Sequence, residues 1–112
     1  MKELISWVDF VKVDLRVGTI IDVQDFPEAK KPAFKVKIDF GDEGVKQSSA
    51  QITDLYNKTD LMGKQIIAVI NFPVKQIANF MSECLITGIV GNNNGVILLQ
   101  PEQRVKNGLS VA

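Results

Sequence analysis

Histidine is absent from this chain and cysteine occurs once, as Cys84. Those two shortages exclude Ser-His-Asp and Cys-His catalysis, zinc clusters and disulfide scaffolds within one chain. Net charge is missing too, since thirteen basic and thirteen acidic side chains cancel. A balanced chain has no broad electrostatic grip on nucleic acid, which depends on excess cations displacing counterions; a local basic patch stays open to it. The longest apolar run, Ile66-Ile67-Ala68-Val69-Ile70, falls far short of the ~20 residues needed to cross a bilayer, so no membrane insertion is expected. Met1 to Trp7 holds no extended apolar core, and a signal peptide is not expected there. The carboxylates Asp22, Asp25, Glu28, Asp39, Asp42 and Glu43 are scattered, with no metal motif and no Gly-rich phosphate cradle beside them. The reading from these absences is a protein that is not an enzyme and takes no cofactor or metal. It would sit in the reducing cytoplasm, with Cys84 serving as a small buried hydrophobe.

What is present is one domain of 112 residues, 46% apolar, enough for a single closed core. Leu4, Ile5, Val8 and Val11 fall at helical spacing with Trp7 beside them, which predicts a short amphipathic helix over residues 3 to 11. A helix that short needs a packing surface, either the base of its own barrel or a second subunit. Strands follow. Val17, Thr19, Ile21 and Val23 alternate with polar residues and glycine; Phe34, Val36, Ile38 and Phe40 alternate with Lys35, Lys37 and Asp39. Asp42-Glu43-Gly44 reads as a hairpin turn, and Val45 to Ala50 as its return strand. A short helix is expected at Thr53–Tyr56, a capped turn at Thr59–Gly63 and a buried strand at Ile66–Ile70. Residues 71 to 83 read as a long connection, and Cys84–Val90 pairs with Val96–Leu99 across Gly91–Gly95. Gly18 and Gly88 inside strands suggest coiling or bulges. Six or seven short strands with one connecting helix predict an all-β fold, a small Greek-key barrel of OB type; period and spacing alone also admit an SH3-like barrel.

Candidate binding residues fall in three stretches. Lys30, Lys31, Lys35 and Lys37 crowd the loop and strand around Phe34, and they serve either for phosphate or acidic-group contact or as a solvated face. The connection from Asn71 to Glu83 carries Phe72, Lys75, Phe80, Met81 and Ser82; its aromatics either stack on a ligand or plug the barrel mouth. Gln47-Ser48-Ser49-Ala50-Gln51 is polar and uncharged, so Ser49 either caps the next helix or joins Ser48 and Gln51 in bonding an extended ligand. No histidine stands ready to deprotonate either serine.

Taken together, these motifs resemble a known family. Asp14-Leu15-Arg16-Val17-Gly18-Thr19-Ile20, the loop with Pro27 and Lys31, Tyr56, Leu61-Met62-Gly63-Lys64, Asn71-Phe72 and Ser82-Glu83 look like the tRNA-binding domain. That domain occurs as free-standing proteins and at the C-terminus of bacterial methionyl-tRNA synthetases. Lys46 to Thr53, Asn71-Phe72-Pro73, Ser82-Glu83 and the Leu98-Leu99-Gln100-Pro101 ending are similar to its CsaA branch. The resemblance implies an OB fold, with a helical segment at 1–12, a barrel at 13–100 and a C-terminal segment at 101–112. It implies a homodimer, for which we assign Leu4, Trp7, Val8 and Val11 to the interface. It also implies tRNA binding and a chaperone role in protein export, with unfolded or preprotein segments as partners. The ligand surface would include Lys31, Lys35, Asn71, Lys75 and Ser82. Ala50-Gln51 replace a Ser-Gly pair of the synthetase-linked branch, Gln76-Ile77-Ala78 replace a more basic stretch, and Cys84 replaces a glycine. These departures make the expected cleft less cationic and more apolar, which favours peptide over tRNA.

Overall fold

The computed structural model describes residues 1–112. Four strands make its frame: β1 (Leu15–Asp25), β2 (Phe34–Asp39), β3 (Val45–Ala50) and β4 (Gln65–Val69). With β7 (Leu85–Ile86) they form one antiparallel sheet in the order β3-β2-β1-β4-β7. The long first strand is shared: Leu15 to Thr19 pairs with β4, and Thr19 to Asp25 pairs with β2. Helix α2 (Lys58–Leu61) lies between β3 and β4 and drives Leu61 fully into the core. A first strand shared in this way, with a helix after the third strand, is the Greek-key OB barrel rather than the SH3-like one.

The alternation in β2 folds as it reads. Phe34, Val36 and Ile38 turn inward, joined by Phe40, while Lys35 and Lys37 turn out. The β1 alternation does not run straight through. Ile20 pairs with Ile38 but Asp22 pairs with Lys37, so Ile21 is an extra residue in a bulge. The bulge reverses the phase of the strand: Gly18 and Ile20 face the core before it and Val23 after it, and Ile21 is 43% exposed rather than inward. Gly18 is no bulge but a close approach. A Cβ there would stand 2.5 Å from Ile38 Cγ2 and 2.7 Å from the Phe40 ring.

Two expected helices are relocated. The first, α1, covers only Trp7–Val11, because Ser6 begins it: Asp9 N–H donates to Ser6 Oγ, and Ser6 N–H donates to Asp9 Oδ2. Leu4 and Ile5 precede it. The second begins at Asn57, whose Oδ1 accepts from Asp60 N–H while Asp60 Oδ2 accepts from Asn57 N–H, so the helix lies at 58–61 and residues 53–55 form turns. Tyr56 then points its hydroxyl at Leu98 N–H, 3.1 Å away.

The connection at 71–83 is not an irregular loop. It contains a hairpin, β5 (Lys75–Ile77) paired with β6 (Phe80–Ser82), turned by Ala78 and Asn79, with Ala78 at φ 52°. Beyond β7 the strand is interrupted at Thr87 before β8 (Gly88–Ile89), which pairs with β9 (Ile97–Leu98). The tail returns to β1 and lies along the half that β2 leaves open. Gly108 N–H donates to Val17 O, Val17 N–H to Leu109 O and Val111 N–H to Leu15 O. Arg16 fastens this corner, reaching Asp14 at 2.6 Å, the Gly108 carbonyl at 3.0 Å and Glu43 at 3.3 Å. The Asp14 hydrogen bond raises the pKa of the guanidinium; desolvation opposes it, and the charges of Asp14 and Glu43 support it. Buried Gln65 completes the seam: its amide donates to Val105 O and Asn107 Oδ1, and its oxygen accepts from Val105 N–H.

Candidate functional site

The β5–β6 hairpin rides on the edge of the barrel beside β3. Gln47 Nε2 donates to Met81 O, Ser49 N–H donates to Ser82 Oγ, and Glu83 N–H donates to Gln47 O. These bonds attach the hairpin to the first part of β3 and leave the strand free beyond Ser49. A groove of about 750 Å³ opens on that side. Its floor and walls are mainly apolar, with Ile52, Phe72, Ile77, Leu85, Ile86 and Val90 among them. Ser49, Gln51, Ser82 and Thr87 supply polar groups, and Lys75 is its one charged side chain.

On the other flank of the hairpin lies a smaller recess of about 230 Å³, lined by Lys35, Lys37, Gln24, Gln47, Asp22, Val36 and Phe80. Phe80 packs on Phe26 with ring centroids 5.5 Å apart, and Lys35 Nζ lies 5.3 Å from the centre of the Phe26 ring. The hairpin therefore divides what reads in the sequence as one cleft into an apolar groove and a basic, aromatic-backed recess. Lys35 stands opposite Ser49 across the β2–β3 pair, so the two surfaces adjoin.

The sequence candidates are distributed accordingly. Ser49, Gln51, Phe72, Lys75 and Ser82 share the groove; Lys35 and Phe80 share the recess. Met81 lies exposed on β6, and Lys31 lies in the exposed loop before β2, lining neither surface. Phe34 belongs to the core, on the inner face with Val36, and Ser48 is buried with its hydroxyl on the Ser49 carbonyl; neither is presented to a ligand. Ser49 caps no helix, because it is a strand residue. Asn71 is turned away and acts as a staple: Oδ1 accepts from Asp14 N–H at 2.9 Å and Nδ2 donates to Lys12 O at 2.7 Å. The groove residues absent from the sequence candidates are mostly Cys84 to Val90, which read as plain buried strand. Cys84 is a buried floor residue; burial first, then the charge of Glu83, pushes its thiol up to about 12.

Known proteins share this architecture. A family model described as "Putative tRNA binding domain" matches residues 15–110. The chain belongs to the tRNA-binding domain family. Among solved structures, the chaperone CsaA of Bacillus anthracis str. Ames is 47% identical with a TM-score of 0.93, covering 98% of this chain and 100% of that one. The CsaA chaperone protein of Picrophilus torridus is 54% identical with a TM-score of 0.92, covering 97% of this chain and 100% of that one. The methionine–tRNA ligase of Thermococcus onnurineus (strain NA1) is 37% identical over 109 residues, which are 97% of this chain and 14% of the ligase. The chain thus spans a small part of the ligases it matches but the full length of the CsaA proteins. Phe72, Lys75 and Ser82 fall within the region shared with all three. No helix of the chain is long and apolar enough to cross a membrane.

Proposed function

We propose that this protein is a dimeric cytoplasmic chaperone of CsaA type that binds unfolded or preprotein segments in protein export. The observation that carries the reading is the groove beside the hairpin: apolar through most of its lining, with several hydrogen-bonding groups and one cation. Such a surface suits a flexible chain of mixed character. Burial supplies roughly 25 cal/mol per Å² of apolar surface, and ordering the bound segment offsets much of that. Weak, broad binding is the expected result, and it serves a chaperone better than tight selection would. The full-length likeness to two CsaA chaperones supports the same reading.

Dimerisation is supported by α1. None of its residues is buried; Phe10 is half-buried, but Trp7, Val8 and Val11, with Leu4 just ahead of the helix, are 56% to 88% exposed. Five residues of helix with an uncovered apolar face are unstable alone and need a surface to cover them. In this reading a second copy covers Leu4, Trp7, Val8 and Val11. Sedimentation should find a dimer at micromolar concentration, and Trp7→Glu should yield monomer or aggregate. A soluble monomeric wild type removes the dimer from the proposal.

The second reading, a structure-specific tRNA-binding protein without a chaperone role, rests on the recess, where Lys35 and Lys37 stand beside polar groups and the half-buried Phe80. Titrating labelled tRNA and a labelled preprotein peptide at two salt concentrations separates the two. Peptide binding that survives high salt supports the chaperone; absence of peptide binding at high protein concentration overturns it. Absence of tRNA binding at low salt overturns the second reading.

A further inference from the structure

The groove is bounded on two sides by the end strands of the sheet, one of them partly covered by the β5–β6 hairpin. β3 and β7 are the two ends of the five-stranded sheet, and both line the groove. In an antiparallel strand successive amides point alternately to the two neighbours. Along β3 the amides of Gln47 and Ser49 point away from β2, to Glu83 Oε1 and Ser82 Oγ. Gln51 follows directly on β3 and lines the groove, and continuing that phase would turn its N–H and C=O to it. Neither has a hydrogen-bond partner in the folded chain. Along β7, Thr87 N–H donates to Ile67 O on the β4 side, which turns the amide and carbonyl of Ile86 away from β4 and towards the groove.

We infer that the groove takes its polypeptide as an added β-strand, main chain bonded to the Gln51 or Ile86 edge and alternate side chains buried against the apolar floor. The inference rests on the polypeptide-binding reading and specifies its ligand class. The occupant is an extended segment with apolar residues at every second position and a carboxylate near Lys75, the only charge in the groove. Open backbone donors and acceptors at an exposed edge are the complement of another extended main chain, and of nothing else so general. Main-chain recognition also explains how one groove could accept many sequences, since every peptide carries the same backbone. Side-chain pockets would then set only the alternation.

The test uses the whole protein and a set of peptides with identical side chains. An acetylated, amidated peptide alternating valine with threonine and carrying one glutamate is compared with versions N-methylated at single successive positions. Binding is read by fluorescence anisotropy, and amide hydrogen exchange is followed at Gln51 and Ile86. Strand addition predicts a parity effect. Methylation at alternate positions weakens binding about fivefold to tenfold, the value of one main-chain hydrogen bond, and methylation between them changes it little. Exchange at Gln51, Ile86 or both slows when the parent peptide binds.

Binding without parity and without slowed exchange would show side-chain burial alone; the inference falls and the chaperone reading stands. No binding by any peptide removes both. Slowing at Gln51 and Ile86 by tRNA but not by peptide would make RNA the occupant. Protection already present in the free protein and lost on dilution would make it a second copy of this chain. Either result overturns the inference.

Discussion

The two flanks of the β5–β6 hairpin are built from neighbouring residues and differ in kind. On one side Phe72, Ile77 and Leu85 line an apolar groove of about 750 Å³ in which Lys75 is the only charge. On the other, Lys35 and Lys37 stand over a smaller recess of about 230 Å³ backed by Phe80 and Phe26. Strand pairing puts Lys75, Ile77, Phe80 and Ser82 on one face of the hairpin, so the difference comes from what each side chain meets on the barrel. Phe80 pairs with Ile77 at the turn end of the hairpin, and Ser82 pairs with Lys75 where the hairpin meets the barrel. The side chain of Phe80 reaches Phe26 on the recess side, while Ile77 and Lys75 line the groove. A short hairpin thus converts one stretch of mixed sequence into two surfaces of different chemistry. Ligands that would compete for one cleft need not compete for two.

The largest effect that would test this division is on RNA. Replacing Lys35 and Lys37 together by glutamate should lower tRNA affinity roughly tenfold or more at low salt and make the salt dependence shallower by about 1 to 2 units of slope, since phosphate contacts are lost. Peptide affinity should hardly change. Equal losses for both ligands would mean that the flanks act as one site. Next in size is Phe72→Ala on the groove side. Phe72 is 55% exposed, so a ligand has about half of the ring left to cover, worth roughly fivefold to tenfold in peptide affinity. Here tRNA binding is the control, and a matching loss of tRNA affinity would count against separate surfaces.

Much of the barrel is legible in the sequence because burial there has a strict period. Phe34, Val36 and Ile38 against Lys35 and Lys37 leave only one way to lay β2 on a core. The bulge at Ile21 is hidden for the same reason: a straight alternation fits Val17 to Val23, and only pairing with β2 shows the added residue. The hairpin is hidden more deeply. Its strands have three residues each, too few to display a period, and its turn holds Ala78 at φ 52°, where glycine or asparagine is the usual signal. For the candidate site this has a direct consequence. Phe72, Lys75, Phe80 and Lys35 are recognisable one by one as groups that could touch a ligand, but their grouping depends on the hairpin. Asn71 illustrates a second cause, since an amide that staples Lys12 to Asp14 looks the same in sequence as one offered to a ligand.

A smaller effect concerns the attachment of the hairpin itself. Gln47→Ala removes the 2.8 Å bond to the Met81 carbonyl. The loss should cost about 1 kcal/mol in chemical denaturation. It should also weaken both ligands only two- to threefold, because only part of that energy is carried into the wall they share. A loss confined to one ligand would place the bond within that ligand's surface rather than between the two.

The smallest effect is at Cys84, on the floor of the groove. Burial raises the thiol from its ordinary value to about 12, so the folded state holds the proton more tightly than the unfolded chain does. The resulting stability is fully present below the unfolded thiol's pKa of about 8.5 and is lost as pH rises from there towards the folded value. Denaturation midpoints at mildly and strongly alkaline pH should therefore fall further for the wild type than for Cys84→Ala; parallel falls would mean that the thiol titrates alike in both states. The same neutral, covered sulfur should alkylate slowly at mildly alkaline pH. Bound peptide should slow the reaction further, because it closes the groove over Cys84, whereas tRNA held on the lysine flank should leave the rate unchanged. Protection of Cys84 by tRNA would place RNA in the groove and erase the distinction between the two sides of the hairpin.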